Sequence, residues 1–380
     1  MAVGTAPPEQ DVLRRVAAWP DDGLRTTTLY LDVDGKRWPR RGMFVRRAED
    51  LTKRMADEVD REGRDARREV ARDRERILEF VRGVERKGDV RGLAAFSASG
   101  GERFEGLALP QPIRDHVRLG DRPYVLPLEA LLEMAETFCT AVVDREKARL
   151  LLSRLGRVEE ISSFLDDVPG KHDQGGWAQA RMQRHIEDHV QRHLKHVAEA
   201  LLHAYEARRF DHLVLAGPDE AVAELERELH DYLRQIVLER VSLPMTVSPT
   251  EVLERTTDLQ GELEARRETQ AVERLASEVQ GATGRAVAGM DPTLLALEQR
   301  RVELLVVLAD LEARGVRCAT CGHLATGGER CGACGGEVVE VRDLVEVAVE
   351  DALGSRCRVE TVPGSASLEA LGGIGALLRF

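Results

Sequence analysis

Residues 178–218, AQARMQRHIEDHVQRHLKHVAEALLHAYEARRFDHLVLAGP, carry the pattern that decides the fold class. Ile186, Val190, Leu194, Val197 and Leu201 recur at three- and four-residue steps, one face of a helix, and predict a long helix over residues 178–208. The residues that follow, DHLVLAGP, are a short apolar run closed by Gly-Pro, which predicts a buried strand ending in a turn. A long amphipathic helix feeding a buried strand is the signature of an α/β unit. At about 100° per residue, His185, His189, His193, His196 and His203 fall within an arc of about 80°, beside Arg181 and Arg192 and apart from the apolar stripe. The helix is therefore expected to bury the stripe and expose a His/Arg ridge. Such a ridge can be a solvated face, a set of metal ligands at i, i+4 spacing, or a surface facing RNA. The order His185-Ile-Glu-Asp-His189 misplaces the base of a His-Glu-x-x-His protease, so metal hydrolysis of that kind is not expected.

Working outward, FCTAVVDREKARLLLSRLGRVEEI (138–161) reads as strand, polar turn and strand, and DDVPGKHDQGGW (166–177) as a loop before the helix. Downstream, a helix over 219–236 and a strand near Val241 complete the unit. A helix from about Pro249 crosses a boundary near residue 258. Beyond it, GATGRAVAG (281–289) reads as a helix-to-turn junction, 293–300 as a helix and VELLVVLAD (302–310) as a buried strand. A helix over 342–353, the strand CRVETV (357–362), a helix over 367–371 and the strand GALLRF (375–380) follow. Toward the N-terminus, TTLYLDV (27–33) reads as a strand and 48–88 as one or two long charged helices. Val90 to Leu109 reads as strands around a Ser-Gly-Gly turn. Pro110, Pro112, Pro123 and Pro127 mark a linker, with a boundary near 136.

Length and composition agree with several small domains. A chain of 380 residues accommodates two or three, and 32% charged residues suit long surface helices better than one large core. Aromatics at 4% exclude extended base stacking as the main mode of contact, and a net charge of −12 excludes a generally sticky nucleic-acid binder. Local cationic stretches remain: KRWPRRGMFVRR (36–47) holds six basic side chains and no acid. It is expected to be a solvated loop and strand, or an arm touching phosphates through residues such as Arg40 and Arg41. No apolar run reaches the length of a membrane span, and the first residues lack the pattern of a signal peptide, so a cytoplasmic location and no membrane partner are expected.

Six cysteines are present, and four form the pairs Cys318-Ala-Thr-Cys321 and Cys331-Gly-Ala-Cys334. Each pair can turn both sulfurs toward one point, and Gly322 and Gly335 follow the second cysteine, where the chain must bend sharply. Two such knuckles give a closed four-thiolate site, the geometry of structural zinc, in a ribbon over about residues 316–340. A pair of redox dithiols is the competing reading. Cys139 and Cys357 stand alone in strand-like stretches.

The order of hairpin, basic glycine loop, basic helix and LVLAGP strand resembles the archaeal and eukaryotic class I release factor and Pelota superfamily, in its bacterial form. Lys171-His172 precede the loop, Lys195-His196-Val197-Ala198-Glu199 lie on the helix, and LVLAGP occupies 213–218. Release factors carry Lys-His-Gly-Arg-Gly-Gly-Gln, a Lys-Val-Ala-Glu run and LVLAG in the corresponding places. The third unit resembles their C-terminal domain through VELLVV (302–307), the Cys-x-x-Cys-Gly insert and GGIGALLRF (372–380). Two departures stand out. Gly175-Gly176 are followed by Trp177 where the family has glutamine, with Gln179 two residues on, and no Asn-Ile-Lys-Ser stop-codon tetrapeptide occurs.

The resemblance implies an α/β chain of three domains. Residues 1–136 would be α+β with long charged helices, 137–258 RNase-H-like, and 259–380 like the kink-turn-binding ribosomal proteins, with the zinc ribbon inserted. It implies binding to the ribosome through rRNA and tRNA, and a translational GTPase as a further partner. It implies hydrolysis of peptidyl-tRNA without stop-codon reading, with Gly175, Gly176 and Gln179 in the catalytic loop. Lys171, His172, Arg181, Arg184, His185, His189 and Arg192 would contact RNA. The alternative the same resemblance allows is a non-catalytic occupant of the A site during hibernation or stress, with Trp177 filling the centre.

Overall fold

The computed structural model describes residues 8–20, 25–58, 64–85, 90–98, 100–165, 177–341 and 343–380, with the side chains of 8–10, 57, 58, 64–66, 164, 165 and 177–186 left undescribed. Two compact units emerge: Met134–Gln260 forms one, and Met1–Glu133 together with Gly261–Phe380 forms the other.

The N-terminal part of the larger unit runs α1 (Pro8–Ala17), β1 (Thr26–Asp32), α2 (Arg41–Glu58), α3 (Arg64–Gly83), β2 (Gly92–Ala98), β3 (Arg103–Leu109), β4 (His116–Gly120) and α4 (Leu126–Met134). Its strands form an antiparallel sheet in the order β3-β2-β1-β4. β1 is buried along its whole length. On one face Leu29, Leu31 and Val33 pack against Phe44 and Ala48 of α2 and Ile77, Leu78 and Val81 of α3. Tyr30 alternates to the other face, where its hydroxyl donates to the Tyr124 carbonyl at 2.7 Å. Asp73 pins α3 to the β2–β3 turn by accepting from Ser97 Oγ and the Gly101 amide, both at 2.7 Å. Residues 41–47, expected as part of a loop and strand, are the opening turns of α2. Phe44 and Ala48, four apart, are its inward positions, a helical and not an alternating pattern.

The smaller unit contains β5 (Phe138–Val143), β6 (Lys147–Arg154), β7 (Arg157–Leu165), α5 (Trp177–Arg208), β8 (His212–Ala216), α6 (Asp219–Glu228), α7 (Asp231–Gln235) and β9 (Val237–Val241); α8 (Pro249–Gln280) starts in it and runs on. The sheet order is β7-β6-β5-β8-β9, antiparallel through the hairpins and parallel from β5 to β9. Val190, Leu194, Val197 and Leu201 of α5 bury against Cys139, Ala141, Leu150, Leu213 and Leu215. At Gly217 (φ 141°) a Cβ would collide with the Val143 carbonyl oxygen, so the Gly-Pro turn after β8 needs glycine. The single helix expected over 219–236 is two. Leu229 is extended, and His230 caps α7 by accepting from the Tyr232 amide through Nδ1 at 3.3 Å. The break lets both Leu229 and Leu233 reach the core.

The remaining elements are β10 (Ala286–Ala288), α9 (Met290–Glu298), β11 (Val302–Leu308), β12 (Gly315–Cys318), β13 (Leu324–Ala325), β14 (Val338–Val341), α10 (Leu344–Gly354), β15 (Arg358–Val362), α11 (Ala366–Ala370) and β16 (Ile374–Leu378). The junction expected at 281–289 includes the short strand β10, held by β16. A sheet of order β10-β16-β11-β15 has α9 and α10 on one face and α8 and α11 on the other. Between β11 and α10, a three-stranded sheet β13-β12-β14 carries the cysteines.

α9 and α10 end alike. Arg301 N donates to Ala296 O at 3.0 Å and Cys357 N to Ala352 O at 2.9 Å, with Arg300 (φ 59°) and Arg356 (φ 56°) left-handed. α11 closes in the same way on Gly372 (φ 89°). An L side chain in that conformation costs about 1 kcal/mol.

Within the larger unit, the N-terminal part grips the C-terminal end of β11. Arg114 donates to the Leu308 and Leu311 carbonyls at 3.2 and 2.8 Å. His116 Nδ1 lies 2.9 Å from Glu346 of α10. Arg91 joins Asp34 at 2.8 Å and Glu264 of α8 at 3.2 Å.

Candidate functional site

The cysteine-bearing sheet is built from two repeats of one backbone device. Cys318 N donates to His323 O at 2.8 Å, and Gly322 N returns to Cys318 O at 3.0 Å. Cys331 N donates to Gly336 O at 2.9 Å, and Gly335 N returns to Cys331 O at 2.8 Å. Gly322 and Gly335 have φ of 77° and 73°, the left-handed backbone that the tight turn behind each pair demands. The four sulfurs lie within 4.8 Å of one another. Cys318 Sγ is 3.4 Å from Cys334 Sγ, and Cys321 Sγ is 3.6 Å from Cys331 Sγ. Four thiolates around one ion at about 2.3 Å sit about 3.8 Å apart, so the set fits a tetrahedral metal. The Cys321 and Thr320 amides donate to Cys318 Sγ at 3.4 and 3.3 Å, and bring that thiol down to about 6.

His323 takes another role than ligand. Its Nδ1 lies 2.8 Å from Glu298 at the end of α9. Thr326 bonds Asp291 at the start of the same helix, through its amide at 3.0 Å and its hydroxyl at 2.9 Å. The four-sulfur cluster is thereby fastened along α9.

Lys171, His172, Gly175 and Gly176 lie outside the described residues. α5 begins at Trp177, which places Gln179 in its first turn and Arg181, Arg184 and His185 in the turns that follow. Further along, His189 is half-buried, while Arg192, His196 and His203 are exposed. The ridge differs from expectation at His193, which is 1% exposed. It sits at the edge of the histidine arc nearest the apolar stripe, about 20° from Ile186, and goes in with that face.

The basic arm divides. Arg37 and Arg47 bracket the Trp38 ring, with guanidinium carbons 5.9 and 4.3 Å from its centroid, and both reach Asp310 beyond β11, at 3.4 Å each. Arg37 also pairs with Asp32 at 2.6 Å, and Arg47 with Asp115. Burial pushes the Asp115 carboxyl up even though Arg47 draws it down. Arg40 and Arg41 point to solvent. Glu268 of α8 lies near Arg37 and Arg91, yet burial, reinforced by Glu360 and Glu264, pushes it up to about 7. Asp32 lies five residues before Arg37, but Asp115, Glu268 and Asp310 arrive from distant segments and could not be paired with the arm from the sequence.

The fold and the four-sulfur centre together define a multi-domain α/β protein with a metal-competent insert. Residues 123–261 match the family "Bacterial archaeo-eukaryotic release factor family 10", and residues 265–380 match "eRF1 domain 3". The chain belongs to the archaeal and eukaryotic peptide-chain release factor and Pelota superfamily, as a member of the bacterial type. Among its relatives, Peptide chain release factor subunit 1 of Methanocaldococcus jannaschii is 27% identical over 76% of this chain and 77% of its own. That of Methanobrevibacter smithii is 25% identical over 87% and 89%. A crystal structure of archaeal translation termination factor aRF1 aligns at 21% identity over 98% of this chain and 97% of that one, with a TM-score of 0.28. Among the described residues no helix is long and apolar enough to cross a membrane.

Proposed function

We propose that the chain is a ribosome-binding release-factor homologue that hydrolyses peptidyl-tRNA in rescue or termination-like release, without reading a stop codon. The observation that carries this reading is the family match over 123–261, which spans the Gly175-Gly176 loop and α5. Water attacks the ester carbonyl, the peptide leaves as a carboxylic acid, and the tRNA 3′ oxygen takes the proton. Gly175 and Gly176 allow the loop to approach the reacting ester without a Cβ, and Gln179 orients the water. The gain comes from dipoles aimed at the developing oxyanion. Lys171, His172, Arg181, Arg184, His185, His189 and Arg192 contact phosphates of rRNA and tRNA, as do Arg40 and Arg41. His193 is not among them.

The same reading makes the smaller unit RNase-H-like, which its sheet order β7-β6-β5-β8-β9 supports. The C-terminal part becomes a kink-turn-protein-like domain with an inserted zinc ribbon. Zinc is the metal chosen because four thiolates in a closed set leave no position for water or substrate. The domain limits are 1–136, 137–258 and 259–380, and the last of these offers a docking surface to a translational GTPase.

A second reading, an A-site occupant that does not catalyse, is favoured by the start of α5 at Trp177. Gln179 then belongs to a helical turn, and tryptophan is the first residue of that helix. The two are separated by incubating the protein with ribosomes that carry peptidyl-tRNA and an empty A site. Release by the wild type and its loss in Gly176→Ala supports hydrolysis. Cosedimentation without release establishes the occupant, and failure to cosediment removes both.

A further inference from the structure

We propose that the end of the C-terminal sheet opposite the N-terminal part is a phosphate-binding face for single-stranded RNA. Arg285, Arg300, Arg301, Arg356, Arg358 and Arg379 converge there. The topology sets them side by side: Leu378 N donates to Arg285 O at 2.8 Å, Arg379 N donates to Arg301 O at 2.9 Å, and β15 begins at Arg358 beside β11. Arg300 and Arg356 close α9 and α10 at the same end. All six are exposed except Arg301, which is half-buried. In a chain of net charge −12 this is a concentrated exception.

Among the described residues, side-chain carboxylates form ion pairs with two of these cations. Asp351 pairs with Arg300 at 3.2 Å, and Glu303 pairs with Arg358 at 3.1 Å. Arg285 and Arg356 form no ion pair among the described residues.

The backbone adds a second observation. Arg300 and Arg356 hold left-handed conformations, φ 59° and 56°, at positions where α11 uses Gly372. The negative end of each helix attracts a cation and offsets part of the strain. That attraction accounts for one charge per helix end. It leaves unexplained why four further arginines crowd the same edge, where like charges repel. Strain and repulsion borne together mark a surface shaped for a ligand.

The ligand is anionic, and arginine's planar fork matches a phosphate through two parallel hydrogen bonds. Phe380 distinguishes RNA from an acidic protein. The residue is 76% exposed, and its backbone oxygen accepts from Arg301 at 3.4 Å, so an aromatic residue adjoins the arginine cluster. A nucleobase stacking there, with phosphates on the arginines, is the mode of single-strand recognition. The N-terminal part fastens the other end of β11, at Leu308, Asp310 and Leu311, and leaves this one open.

The test is fluorescence anisotropy of a short labelled single-stranded RNA with the full chain, between about 50 and 200 mM salt. Arg300→Gly with Arg356→Gly relieves the strained backbone, so thermal stability holds or rises. RNA binding weakens roughly tenfold, and the salt slope falls by about 1.4, two phosphate contacts at about 0.7 each. RNA also protects Arg285 and Arg356 from phenylglyoxal, read by mass spectrometry. A more stable double variant that binds RNA like the wild type overturns the proposal, because the arginines are then helix ends only. Equal protection by poly-glutamate overturns it in favour of an acidic protein partner. No peptidyl-tRNA enters the assay, so its outcome and that of the release reading are independent.

Discussion

The cysteine-bearing insert and the basic arm secure their chemically active side chains by opposite means. In the insert, each sulfur is aimed by its own neighbours: Cys318 N to His323 O, Gly322 N to Cys318 O, and the same pair of bonds about Cys331. In the arm, Arg37 and Arg47 are drawn inward by Asp32, Asp115 and Asp310, which lie on β1, before β4 and after β11. A locally determined site keeps its geometry whatever the rest of the chain does, provided the metal is present. A site fixed from afar turns surface charge into a joint. Of the arm's cations, Arg40 and Arg41 stay exposed, with no carboxylate paired to them among the described residues.

Breaking the local device should have the largest effect. Chelation, or Cys321→Ser, removes binding free energy on the order of 10 kcal/mol. Hydrogen exchange should then show residues 315–341 losing protection while β11, β16 and the N-terminal sheet keep theirs. If the main sheet melts as well, the insert is no separate device.

Breaking the remote device comes next. Asp115 is nearly buried, with its side chain 8% exposed, and it holds both Arg47 and the Asp32 amide. Asp115→Ala leaves the Asp32 amide without its acceptor and Arg47 with only its longer contact to Asp310, and should cost about 3 kcal/mol in urea unfolding. The insert's metal content should not change. A simultaneous loss of metal would erase the contrast between the two regions.

A smaller effect sharpens the account of the joint. Glu268 is raised to about 7 in the folded chain, from an ordinary value near 4.5. The folded state therefore holds the proton more tightly, and stability is greatest below about 4.5 and declines as pH rises toward 7. Glu268→Gln should leave melting at pH 4.5 unchanged and raise it at pH 8 by roughly 2–4 °C, the shift that about 1 kcal/mol gives in a large domain. An equal change at both pH values would mean that ionisation is not the cause.

The same division explains what the sequence made legible. The four cysteines and their glycines were readable because spacing alone dictates the turns. The α5–β8 unit was readable because helix and strand periods differ sharply over 178–218. The inward turn of Arg37 and Arg47 was not, since Asp115 and Asp310 come from distant segments and only Asp32 lies near the arm in sequence. His193 was misplaced because the arc was taken whole, although its edge adjoins Ile186. The break at Leu229 was hidden by an unbroken apolar pattern across α6 and α7. The candidate catalytic loop was legible only through resemblance, as a Gly-Gly pair before a helix has no chemistry of its own.

The most direct test of the release reading is single-turnover peptide release by ribosomes carrying peptidyl-tRNA, comparing the wild type with Gln179→Ala. Loss of one water-orienting dipole should slow release by about 10²–10³-fold while cosedimentation with ribosomes is unchanged. Release by Gln179→Ala at the wild-type rate would contradict the assignment of Gln179 to the reaction.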